Sequence, residues 1–321
     1  MRLSAIDSLQ HGLLNLRANW QLILLQALQS LLVMAISAVG LVPIFLVLGF
    51  KFVRGAVGRF GGGGEAELLE SVLGAGAPLL VAFLVSTLIW TVAFVVYCYM
   101  QGGILGVLAA GERRAAGSQI RWSDFRTFSA RAFFEQAERL TWPVFWLVNL
   151  FLVLGMLVLL VFLVFVAVLL TAVVGEGFSA EGFESLGQLG ASIVLFGCLG
   201  FALLLVFSVF FSLWMQVALG ELAAGTRGTF AAARAGLVIV GRRLPGLLLL
   251  FLLLVVASIA MAIVVTPLSL VMNATLGDRT SSYFVGQAFL TLLQWFITGI
   301  VNLGWAGTII ALVLGEREGA A

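Results

Sequence analysis

The sequence predicts an all-α integral membrane protein. Six transmembrane helices form three related helical hairpins, each preceded by a cytoplasmic amphipathic helix. Three observations lead there. Hydrophobic residues make up 62% of the chain and charged residues 10%, with a mean hydropathy of +1.17; soluble domains run at about 45–50% apolar and roughly 25% charged. Six apolar runs each reach the roughly 20 residues that a span requires. The same entry and exit patterns recur along the chain.

Taken in order, the first element is an amphipathic helix over about 3–18. Leu3, Ile6, Leu9, Leu13 and Leu16 fall at helical spacing. Ser4 and Asp7 suit a capping box, and His11 and Arg17 lie off the apolar stripe. The first span, about 20–48, contains Pro43, which should kink or end it. A connector with Lys51, Arg54, Arg59, the "GGGG" of Gly61–Gly64, Glu65, Glu67 and Glu70 leads to the second span, about 78–110. The next connector carries Arg113, Arg114, Arg121, Arg126, Arg131 and Arg139. Within it, 121–140 reads as an amphipathic helix: Trp122, Phe125, Phe128, Ala132 and Leu140 share much of one face, with Phe133 and Ala137 close by. Arg131–Glu135 and Glu135–Arg139 are i,i+4 pairs on the wet side. This helix should turn into the third span, about 142–172, at Trp142–Pro143. The fourth span covers about 190–222. A third amphipathic segment, about 228–243, shows the weaker stripe Phe230, Ala233, Leu237 and Val240. The fifth span, about 245–275, contains Pro267, and the sixth covers about 285–314.

Internal repetition links these elements. The second span ends "MQGGILGVLAAGE", the fourth "MQVALGELAAGT" and the sixth "GTIIALVLGE". Gly102, Gly106 and Ala110 step by four residues, Gly220 aligns with Gly106, and Gly307, Ala311 and Gly315 form a further stripe. Small residues at this spacing let helix backbones approach closely in lipid. Entries to the odd spans read "LRANW", "ERLTWP" and "RRLP". Arginine and tryptophan favour the membrane interface, and proline suits a first helical turn.

Orientation follows from the cations. Sixteen of the seventeen basic residues are arginine, and thirteen of the seventeen lie at the termini and in the second and fourth connectors. The positive-inside rule then puts both termini in the cytoplasm. Abundant Ala, Gly, Leu and Val point to a GC-rich bacterial genome and an inner-membrane location.

Chemistry has little to work with. His11 is the lone histidine, and Cys98 and Cys198 lie within apolar runs. No multi-histidine metal site, disulfide framework, P-loop or HExxH is present, and no cofactor or catalytic residue is expected. The acids Glu176, Glu181 and Glu184 together with Glu65, Glu67 and Glu70 are the remaining thought for a cation, and they read better as solvated. Four arginines and five aromatics between Arg121 and Trp142 suggest nucleic acid when taken alone. Glu112, Asp124, Glu135 and Glu138 offset the arginines of that connector, and a helix tethered to the membrane at both ends favours headgroups. Arg17, Arg121, Arg126, Arg131, Arg139, Arg234, Arg242 and Arg243 are the candidate headgroup or interface contacts. Inside the bilayer, Gln287, Thr291, Gln294, Thr298 and Asn302 keep to one face of the last span, and Ser208, Ser212 and Gln216 to one face of the fourth. Such stripes bond helix to helix or line a water path.

The succession of amphipathic helix, arginine, span, and second span ending in a small residue with "GE" or "GT" resembles a loose group of bacterial six-span membrane proteins of unassigned function. It is also similar to the membrane domain that precedes some glycerophosphodiester phosphodiesterases; their metal-binding catalytic domain has no counterpart here. The resemblance implies an architecture and a lipid context. The expected function is that of a non-catalytic scaffold, accessory subunit or lipid-associated module. Its partners would be membrane lipids and a membrane protein or further copies of itself, not nucleic acid. The alternatives are a passive channel or transporter lined by the polar face of the last span, and a membrane-embedded lipid enzyme using Glu112 and Glu221.

Overall fold

The computed structural model describes residues 3–60, 76–116, 121–177, 185–226, 228–276 and 280–318. Among them the chain forms seven α-helices, one 3-10 turn and no strand. The helices are α1 (Ala5–Ala18), α2 (Gln21–Phe60), α3 (Gly76–Ala115), α4 (Ala130–Gly177), α5 (Ser185–Ala223), α6 (Thr229–Leu276) and α7 (Thr280–Glu318), and the 3-10 turn is Trp122–Phe125. Six of them, α2 to α7, carry stretches long and apolar enough to cross a membrane: Gln21–Gly49, Gly76–Ala115, Ala130–Val168, Gly197–Ala223, Thr229–Ala260 and Val285–Arg317. The chain is a multi-pass membrane protein.

The core gathers at one end, where α3, α5 and α7 finish and where most of the described arginines lie. Leu105, Leu108, Val217, Leu222, Leu303, Ile309 and Ile310 are buried there. The opposite halves present large apolar side chains outward, such as Phe45, Leu88, Met156, Phe201 and Ile263. Helix α7 is the centre, touching α1, α2, α3, α5 and α6.

Helix α1 opens with the capping box: Ser4 Oγ accepts from the Asp7 N–H at 3.2 Å, and Asp7 accepts from the Ser4 N–H at 3.2 Å. The Ser4 hydroxyl, which donates to Asp7 Oδ2 at 2.7 Å, and the Ser4 N–H hold the Asp7 carboxyl below its ordinary range. The helix then packs on a face that takes in Leu16 and part of Leu9 from the leucine stripe but is centred on small and polar residues. Ser8, Gly12, Asn15, Leu16 and Ala18 are buried, whereas Ile6 and Leu13 of the expected stripe are 67% and 51% exposed. The reason is close approach. A Cβ on Gly12 would overlap the Thr308 backbone nitrogen, and one on Gly307 would lie 3.1 Å from Gly12 Cα. Backbones this near gain dispersion contacts that a leucine face would hold apart.

The stretch 121–143 also differs from the single surface helix expected. Trp122–Phe125 is a 3-10 turn with Arg121 and Arg126 extended at its ends, and α4 starts at Ala130 and continues through Pro143 into the span. Phe133, Ala137 and Leu140 are buried because α3 offers its glycines to them. Gly103 faces the Phe133 ring, Gly106 the Gln136 side chain and Gly102 the Leu140 Cβ, while Ala110 is half-buried. On α6, Ala232, Ala233 and Gly236 face inward, and Phe230 (76% exposed) and Leu237 face out. Helical geometry breaks at Arg243 (φ −117°, ψ 17°), two residues before Pro245, whose missing N–H cannot bond the Gly241 carbonyl. Helix α2 runs on past Pro43, which does not end it.

Gly12→Ala is expected to lower stability by about 1–3 kcal/mol through overpacking. Gly241→Ala, with nothing within 4 Å of an added Cβ, should raise it by roughly 0.5–1 kcal/mol through helix propensity. Denaturant titration in detergent, followed by circular dichroism, measures both.

Candidate functional site

Two constellations stand out, at opposite ends of α6 and α7. The first lies in the half remote from the arginines. Gln287, Thr291, Gln294, Thr298 and Asn302 of α7 face Leu254, Ser258, Ala262 and Thr266 of α6 across a cavity of 360 Å³. On α6 the lining steps by four residues and is mostly small, so the two helices leave room between them. Asn302 lies at the middle of the apolar stretch Val285–Arg317, and Gln294 about 12 Å further along the helix. The Thr291 hydroxyl donates to the Gln287 carbonyl at 2.8 Å and the Ser258 hydroxyl to the Leu254 carbonyl at 2.9 Å. Gln294 and Asn302 are exposed and make no hydrogen bond to the described residues. Beyond Asn302 the groove closes: Leu303, Ile309, Ile310 and Val313 are buried, and the buried Thr308 hydroxyl is spent on the Gly304 carbonyl at 2.7 Å. Ser208, Ser212 and Gln216 of α5 do not line it.

The second constellation ties helix ends together through three glutamates. Glu112 of α3 is 6% exposed; its oxygens meet His11 Nδ1 at 3.2 Å and Asn15 Nδ2 at 3.1 Å, both from α1. Glu221 of α5, 3% exposed, accepts from Arg317 of α7 and from the Thr226 hydroxyl. Glu316 of α7 accepts from Arg243 Nε of α6 at 2.6 Å. Arg113 and Arg317 also donate to the carbonyls of Ala223 and Ala224, at 2.8 and 2.7 Å. Asn19 completes the set. Its amide donates to Asn15 Oδ1 and the Phe125 carbonyl, both at 2.8 Å, and its oxygen accepts from the N–H groups of Thr127 and Phe128 at 3.0 and 2.8 Å. Both oxygens of Glu112 and Oε2 of Glu221 are thus engaged by protein donors, as expected of struts that hold buried charge.

Of the arginines singled out in the sequence, Arg17 stacks over Trp122 at 5.8 Å, and Arg131 pairs with Glu135 at 2.8 Å on the open surface. Arg126 lends its carbonyl to Arg114, and Arg121 and Arg139 are exposed. Arg234 and Arg242 come together with Arg317 around a second cavity, and Arg243 is committed to Glu316. Sequence reasoning passed over Asn15, Asn19 and Arg317, and placed His11 on a surface helix. The available signal was Ser8, Gly12, Asn15 and Asn19, a small-polar face stepping by four, three and four. The acidic connector residues Glu65, Glu67, Glu70, Glu181 and Glu184 lie outside the described residues, among which no three metal-ligating side chains cluster.

The fold and this site define a class, a multi-pass helical membrane protein with a polar groove between two of its spans. Searches against protein-family models, curated proteins and solved structures found no match.

His11 supplies a pH test. Its hydrogen bond to Glu112 raises its pKa above the ordinary 6.5, against the opposing effect of burial, with the Glu112 and Asp7 charges adding to the rise. A raised folded-state pKa gives stability that is complete below pH 6.5 and disappears as pH climbs through the elevated value. Melting temperature in detergent should therefore fall between pH 6 and 9, and His11→Gln should flatten that dependence.

Proposed function

We propose that this chain is a non-catalytic accessory or scaffold subunit that docks a second transmembrane segment, of its own kind or another, along the polar groove of α6 and α7. One observation carries the reading. Gln294 and Asn302 line the α6–α7 cavity at membrane depth, exposed and without a hydrogen-bond partner among the described residues. An amide left bare in hydrocarbon costs about 4–8 kcal/mol, and polar groups of a second span laid along the groove would cover each. Hydrogen bonds between spans average about 0.6 kcal/mol each, and several along one groove give a specific, modest contact.

A second reading, a passive solute path, draws support from the cavity volume. The buried inner half of α7 weighs against it, because a path would have to open between Leu303 and Val313. By the positive-inside rule the arginine-rich end is cytoplasmic, and the Ala-, Gly-, Leu- and Val-rich composition fits a bacterial inner membrane. The three hairpins are read as copies of one unit, a view supported by the carboxylate near the end of each of α3, α5 and α7.

Native mass spectrometry from gentle detergent tests the docking. The wild type should appear in an assembly larger than a monomer, and Gln294→Leu with Asn302→Leu should shift it to monomer. A wholly monomeric wild type would refute the proposal. If instead the wild type conducts small polar solutes in liposomes and the same pair of leucines abolishes flux, the path reading takes its place.

A further inference from the structure

The cavity at the arginine-rich end belongs to a different chemistry. It measures 450 Å³ and is lined by Ala231, Arg234, Ala235, Val238, Ile239 and Arg242 of α6 with Glu316 and Arg317 of α7. Ala231, Ala235, Val238 and Arg242 step by four, three and four, so one helix face runs from small apolar residues to a guanidinium. The charges do not cancel. Glu316 is taken by Arg243, and Arg317 by Glu221. Arg234 and Arg242 are exposed and make no ion pair or hydrogen bond among the described residues. Two uncompensated arginines therefore flank an apolar trough.

Its position narrows the occupant. The helix breaks at Arg243 and resumes at Pro245, and Leu248, Leu249, Leu252 and Leu253 then face outward as exposed leucines. Arg242 precedes Leu248 by only six residues. The trough thus lies at the boundary where lipid-facing surface begins, and basic pockets beside spans bind anionic headgroups. A nucleic acid or a free anion would use the guanidinium groups and leave the Ala231–Val238 strip bare. A phospholipid would use both.

We propose that this cavity is a binding site for an anionic phospholipid, its phosphate held by Arg234 and Arg242, its glycerol region against Ala231, Ala235 and Val238, and its acyl chains directed toward the exposed leucines that begin at Leu248. The site does not depend on what covers the groove at the opposite end. Each arginine near an anionic lipid surface contributes enough that losing two weakens binding by roughly thirtyfold.

The full chain in detergent, titrated with phosphatidylglycerol or phosphatidylcholine and read by native mass spectrometry, tests this. Wild type should retain phosphatidylglycerol at least about tenfold more tightly than phosphatidylcholine. Arg234→Gln with Arg242→Gln should remove that preference. Arg121→Gln with Arg131→Gln, exposed arginines outside the cavity, should leave it intact. Val238→Trp, which fills the trough without altering charge, should weaken retention. Millimolar inorganic phosphate should fail to displace the lipid. Equal retention of both lipids overturns the proposal, as does equal loss in the Arg121/Arg131 pair, which would mean diffuse surface charge. Displacement by phosphate, or indifference to Val238→Trp, would show a simple anion site instead.

Discussion

Helix α1 presses its backbone onto α7 at Gly12 and Gly307, and most of the arginine-rich end follows from that contact. With no side chain between them, the two helices run close enough for α1 to act as part of the bundle. Its rotation is then set. Asn15 and His11 reach the Glu112 carboxylate of α3, and Asn19 reaches the backbone of 125–128. That anchoring places the 3-10 turn over Ala18 and Ala115, and α4 leaves it against the glycines of α3. A larger residue at position 12 would turn α1 and withdraw these partners together.

The glutamates work with this contact. Buried carboxylates are tolerated when their oxygens are satisfied, and each of Glu112, Glu221 and Glu316 takes its donors at least partly from another helix. The result is a closed end, cross-linked by charge and filled by the Leu303–Val313 stretch. Helix α7 therefore has two characters along its length. Over Leu303–Val313 it is buried, and from Asn302 back to Gln287 its polar face is left uncovered. The same pair of helices, α6 and α7, thus borders a polar groove at one end and a basic, apolar-walled trough at the other.

The span segments were legible in the sequence because the bilayer imposes a length and a polarity that any 20-residue window reveals. The stripe Gln287–Asn302 was legible too, as a face of one helix. Which side of α1 faces inward was not. In water the leucine stripe would be buried. In lipid, leucine has no preference for protein over acyl chains, and burial goes to the face that allows close approach or needs hydrogen bonds. Ser8, Gly12 and Asn15 win over Ile6 and Leu13 for that reason. On α6, Ala232 and Gly236 join Ala233 and Val240 of the expected stripe inside, while Phe230 and Leu237 face out. For 121–143, the glycines of α3 decided that α4 would continue its span.

By itself the sequence determined how many apolar helices there are, their approximate extents, and where charge is excluded, because these depend on composition within a local window. Only the tertiary structure decided which carboxylate meets which donor, that His11 is engaged with Glu112, that the polar face of α7 looks across a cavity, and that Arg234 and Arg242 share a trough with Arg317. These depend on helix rotation and on packing at the scale of a single Cβ. Residues as far apart as His11 and Glu112, or Arg243 and Glu316, meet only when the whole bundle has chosen its close contacts.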